Sequence, residues 1–131
     1  MIAKIMKGSG FKGVINYILA PKKGTELIDS SGVRTDGVSH IIQSFIDQTS
    51  LNPRVGKVVG HISLSFSAQD SPKLSNDWMV KVAREYMEKM GVKDTQYIIG
   101  RHFDKEHPHV HIAFNRIDNN GKTISDRNDR F

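Results

Sequence analysis

Arg101-His102-Phe103-Asp104-Lys105-Glu106-His107-Pro108-His109-Val110-His111-Ile112-Ala113-Phe114-Asn115-Arg116 gathers four of the six histidines of a 131-residue chain into ten residues. Pro108 to Ile117 reads as a strand, in which alternate side chains share a face. His109 and His111 therefore point one way, and Val110, Ile112 and Phe114 supply the opposite, apolar face. Gln96 to Asp104 reads as a second strand joined to the first by a tight connection. Antiparallel pairing of the two brings His102 beside His109 and His111, so that three imidazoles converge on one ion and leave a coordination position for a substrate oxygen. A ligand-free sheet face is the ordinary reading of one or two histidines, and three at this spacing speak against it. His107 lies in the turn and is less suited to the set. Asp104, two residues after His102, is a candidate to accept the other N–H of a ligand imidazole or to move a proton.

Working outward, Ile2 to Lys7 reads as a first strand, and Gly8-Ser9-Gly10 turns into a helix from about Phe11 to Leu19 that Pro21 ends. A second helix is expected from about Ser39 to Thr49, with Ile41, Ile42, Phe45 and Ile46 as its apolar stripe. Lys57 to Ser67 alternates strictly: Val58, Gly60, Ile62, Leu64 and Phe66 face one way, and Val59, His61, Ser63, Ser65 and Ser67 the other. Ser75 caps a third helix, about Asn76 to Met90, and Gly91 stops it. Asn119-Asn120-Gly121 turns the chain into a last short strand around Lys122 to Ile124. The expected fold is α+β: one domain over residues 1–131, with a central antiparallel sheet of about five strands and helices packed on one face.

Composition agrees with one globular domain: 37% of residues are apolar, 25% charged and 8% aromatic. With no cysteine, disulfides, thiolate zinc, iron–sulfur clusters and a cysteine nucleophile are all excluded. Lys and Arg exceed Asp and Glu by 19 to 14, and the resulting net charge of +5 favours polyanions. No apolar run approaches the ~20 residues of a membrane span, and Met1 to Lys7 lacks a signal-peptide core, so a cytoplasmic location without membrane contact is expected.

The string His102-Phe103-Asp104, His107-Pro108-His109-Val110-His111, Asn115-Arg116 resembles the third motif of the relaxases, mobilisation nucleases of the HUH endonuclease superfamily. Ile2-Ala3-Lys4-Ile5 with Gly13-Val14-Ile15-Asn16-Tyr17-Ile18-Leu19 is similar to the family's tyrosine-bearing first motif, and His61-Ile62-Ser63-Leu64-Ser65-Phe66-Ser67 to the second. The third motif is the specific one. The resemblance implies an HUH-like antiparallel sheet with His102, His109 and His111 as ligands of a divalent ion, commonly Mg2+ or Mn2+. Three imidazoles alone would have suggested Zn2+. It further implies that Tyr17 attacks single-stranded DNA at an origin of transfer, leaving a 5′-phosphotyrosine link and a free 3′-hydroxyl, with relaxosome accessory proteins as partners. Relaxases extend well beyond this domain, so a nuclease domain truncated near Phe131 is expected.

Tyr17 lies roughly 130° from the centre of the apolar face formed by Phe11, Val14, Ile15, Ile18 and Leu19, as a nucleophile must. Tyr86 and Tyr97 read as packing residues. Lys22, Lys23 and Arg116, and the polar-face His61, Ser63 and Ser65, are the candidate DNA contacts. Two other readings stay open. His107 to Ala113 also resembles the histidine-triad nucleotide hydrolases and transferases, where His109 would attack phosphorus without a metal; alternatively, the chain is a non-catalytic DNA-binding accessory protein of the same fold.

Overall fold

The computed structural model describes residues 1–20, 24–67, 75–103 and 107–125. Their order is β1 (Ile2–Gly8), α1 (Phe11–Ile18), β2 (Thr25–Ser31), α2 (Val38–Thr49), β3 (Val59–Ser65), α3 (Asn76–Lys89), β4 (Tyr97–His102) and β5 (His109–Asn115). The strands form one sheet in the order β1-β3-β5-β4-β2, and every neighbouring pair is antiparallel. Strand β5 is buried along its whole length at the centre.

The α+β class and the antiparallel sheet match the sequence expectation, but helices cover both faces of the sheet rather than one. Ile62, Leu64, Val110, Ile112 and Phe114 pack on Met79, Ala83 and Met87 of α3. On the other face, Val59, Ile98 and Ala113 pack on Phe11, Ile15 and Ile18 of α1 and on Ile41 and Phe45 of α2. The physical reason lies in β4 and β3: Ile98 and Val59 are apolar on the face opposite Ile99, Ile62 and Leu64, so both faces need a cover.

The fifth strand also differs from expectation. It is β2, an edge strand whose polar Thr25-Glu26-Leu27-Ile28-Asp29-Ser30-Ser31 hides its alternation behind a bulge between Leu27 and Asp29. Leu27 still packs on the α1 side and Ile28 on the α3 side. The segment around Lys122 to Ile124 contributes only an isolated bridge between Ile117 and Thr123.

The expected signals at the two ends of α3 operate as read, and Pro21 lies outside the described residues. The Ser75 hydroxyl accepts the Trp78 N–H at 3.2 Å. Gly91, at φ 78°, takes the left-handed conformation that lets the Val92 N–H return to the Met87 carbonyl at 2.9 Å. Among the described residues no helix is long and apolar enough to cross a membrane.

Candidate active site

The β4–β5 register sets His102 directly opposite His109, and Gly100 opposite His111. All three rings emerge on the α1 face and are buried. One ring nitrogen of each lies within 4.8 Å of the other two. On the far side of β5, Ser63 pairs with His111 and Ser65 with His109, so the two serines flank the cluster on the same face.

The hydrogen bonds of the rings test whether this donor set fits a cation. A carbonyl only accepts, so His102 Nε2–H donates to the Ile18 carbonyl at 2.8 Å, which directs the lone pair to Nδ1. In the same way His109 Nδ1–H donates to the His107 carbonyl at 3.1 Å, leaving the lone pair on Nε2. His111 Nδ1 meets His61 Nε2 at 2.9 Å. Burial, and then the facing His102 imidazole, push His61 below the ordinary imidazole range, so His61 is neutral at pH 7 and can accept from His111. Ligand histidines ordinarily have their second nitrogen anchored in this way. The set fits a divalent ion, with each ring oriented by a carbonyl or a neutral neighbour.

Tyr17 projects from the last turn of α1 over the same cluster. Its ring centroid is 5.3 Å from that of His111, 5.6 Å from His102 and 6.1 Å from His61, and its side chain is 39% exposed. Two features hold the helix there. The bond from His102 to the Ile18 carbonyl fastens its last turn, and Gly100 opens the space beneath: a Cβ at Gly100 would stand 2.5 Å from Ile18 Cγ2. Tyr17, His61, Ser63, Ser65, His107, His109 and His111 line one cavity of about 670 Å3 together with β1.

The structure therefore brings together Tyr17, His61, Ser63, Ser65, His102, His109 and His111. Arg116 is not among them: its guanidinium donates to the Lys57 and Ile124 carbonyls at 2.8 and 3.0 Å, at the opposite end of β5. Its neighbour Asn115 is fully buried and donates to the Phe45 carbonyl and to Gln96 Oε1, fastening α2 to the sheet. Lys22, Lys23 and Asp104 lie outside the described residues. The bond between His61 and His111 was not foreseen from the sequence; the shared polar face of β3 was its only signal, because pairing of β3 with β5 is a tertiary fact.

A buried trio of histidines on an antiparallel sheet, with a tyrosine presented by the first helix, is the arrangement of an HUH-type nuclease domain. The relaxase family, described as MobA/VirD2-like, nuclease domain, matches residues 17–131, and the chain belongs to it. Over 59 residues, 45% of this chain, it is 34% identical to Protein MobA of Acidithiobacillus ferrooxidans. That match spans only 14% of the relative's length.

Proposed function

We propose that this domain nicks and rejoins single-stranded DNA at an origin of transfer in the cytoplasm, with Tyr17 as nucleophile, and so begins the mobilisation of a plasmid or transposon. The observation that carries the reading is the Tyr17 ring standing 5.3 Å from that of His111, above three buried histidines whose second nitrogens are hydrogen-bonded. His102, His109 and His111 would hold a divalent cation. Mg2+ or Mn2+ is the family's usual ion, and Zn2+ is the choice of imidazole chemistry alone. Such an ion supplies neutralisation of phosphate charge.

The chain's own residues do the rest. Tyr17 Oη attacks the phosphorus, the O3′–P bond breaks, and the proton lost by the phenol is matched by one taken up at O3′. The 5′-phosphate stays on the protein as a tyrosine ester, and a returning 3′-hydroxyl reverses the exchange. Ser63 and Ser65 hydroxyls donate to the flanking backbone, and Lys22 and Lys23 add charge beyond the helix. Asp104 is the candidate for proton transfer. Accessory proteins of the relaxosome would present the strand. The histidine-triad alternative uses neither His102 nor Tyr17 and gains no support from the family match.

The test is incubation of the purified domain with single-stranded oligonucleotides spanning candidate origins, with and without divalent metal. A covalent adduct that maps to the peptide holding Tyr17 and disappears in Tyr17→Phe supports the proposal. Persistence of the adduct in that variant sinks the assignment of Tyr17. DNA binding without any adduct would favour the accessory-protein reading instead.

A further inference from the structure

On β1, Ala3 and Ile5 pack toward the α3 side, whereas Ile2, Lys4 and Met6 stand on the active-site face opposite Ser65, Ser63 and His61. Helices α1 and α2 sit over β4 and β5, so among the described residues no helix is packed on this row. Ile2 is 67% and Met6 50% exposed, although an outward strand face ordinarily carries polar residues. Eight large apolar side chains are exposed among the described residues, and four of them, Met1, Ile2, Met6 and Tyr17, line the cavity of the histidine cluster. Exposed apolar surface concentrated in one concavity beside a reactive group marks a binding surface.

We infer that the Ile2, Lys4 and Met6 row is the wall on which unpaired bases beside the scissile phosphate rest. The inference builds on the nuclease reading above and adds residues to it. Ile2 and Met6 offer apolar contact to base faces, and the thioether of Met6 suits an aromatic ring. Lys4, between them, meets a backbone phosphate, while the hydroxyls of Ser63 and Ser65 run parallel one strand away. The row spans about 13 Å along the strand. Single-stranded DNA fits better than a protein partner: a cation interrupts the apolar row, the net charge is +5, and the wall is continuous with the Tyr17 site. A duplex does not fit, because its base faces are stacked away from any wall.

The probes are a short fluorescein-labelled oligothymidylate and an abasic strand of the same length, titrated by anisotropy. The intact protein should bind the base-bearing strand about tenfold more tightly than the abasic one. The double variant Ile2→Ser and Met6→Ser should lose that preference while binding the abasic strand as before, and Lys4→Gln should weaken both strands. A preference that survives the double variant overturns the wall, whereas the nuclease reading falls only if no Tyr17 adduct forms. Photocrosslinking of a 5-iododeoxyuridine strand to the unaltered protein gives an independent check. Crosslinks in the β1 peptide support the wall, and crosslinks confined to other peptides overturn it.

Discussion

Tyr17 and Tyr97 carry the same phenol in different surroundings. Tyr97 Oη donates to Asp29 at 2.8 Å and accepts from Arg84 Nε at 3.1 Å; burial and the Asp29 carboxylate push it above the ordinary value of 10, which suits a structural tie between β4, β2 and α3. Tyr17 is presented to three imidazoles instead. For the histidines, the double change His109→Ala and His111→Ala should abolish specific divalent binding by calorimetry with the circular dichroism spectrum retained. His61→Gln should weaken binding about tenfold, because His111 loses the partner that orients it. Undiminished affinity in the double variant would remove the metal site. His61 also gives the metal-free protein a pH dependence. Its folded pKa lies below the unfolded value of 6.5, so the unfolded chain binds the proton first as pH falls. The stability from neutral His61 is whole above 6.5 and is lost as pH drops from there toward the folded pKa. Urea midpoints should decline on acidification through that window, less steeply in His61→Gln; equal slopes in both proteins would refute the assignment.

At the scale of elements, the decisive contact is α1 on β4. Phe11, Ile15 and Ile18 bury one stripe of the helix, Phe11 stacks on Phe45 of α2 at 4.7 Å, and Tyr17 is left on the open side. The strand beneath accommodates the helix only because residue 100 has no side chain. Gly100→Ala places a methyl against buried Ile18 and should cost about 1 to 3 kcal/mol of stability by overpacking. It should also slow adduct formation and weaken the affinity of the histidine cluster for a cation, because the Ile18 carbonyl that orients His102 is displaced with the helix. A variant as stable and as active as the parent would show that the close approach of α1 is unimportant. The motif residue Asn115 illustrates a different element-scale role: its side chain joins β5 to α2 and to Gln96 at the entry to β4, and Ile117 N–H returns to its Oδ1. The sequence placed it in a functional motif, and the fold shows what its amide does.

For the whole molecule, the net charge of +5 and the open half-face beside β1 predict single-stranded binding that weakens steeply with salt. Affinity that stays flat between about 50 and 500 mM salt would count against a DNA surface. Much of the fold was legible at single residues. Alternation in residues 59–66 and 109–114, the Ser75 cap and the Gly91 stop marked strands and helix ends, because side-chain period and capping are local properties of the chain. Val58, expected to face with Ile62, precedes β3 and packs on the α1 side. The convergence of His102, His109 and His111 was legible for the same reason: a short connection leaves an antiparallel pair little choice of partner. Strand β2 was not, since a polar edge strand with a bulge has no periodicity of its own and is recruited by β4. Nor was the division of the helices between two faces, the retirement of Arg116 to the far end of β5, or the bond from His61 to His111. Those depend on strand order and on which face each helix covers, and the free energies that decide them come from contacts between residues tens of positions apart. Sequence alone determined what each strand and helix offers; tertiary packing decided which of those offers meet, because burial of apolar surface is settled only when all the elements compete for the same sheet.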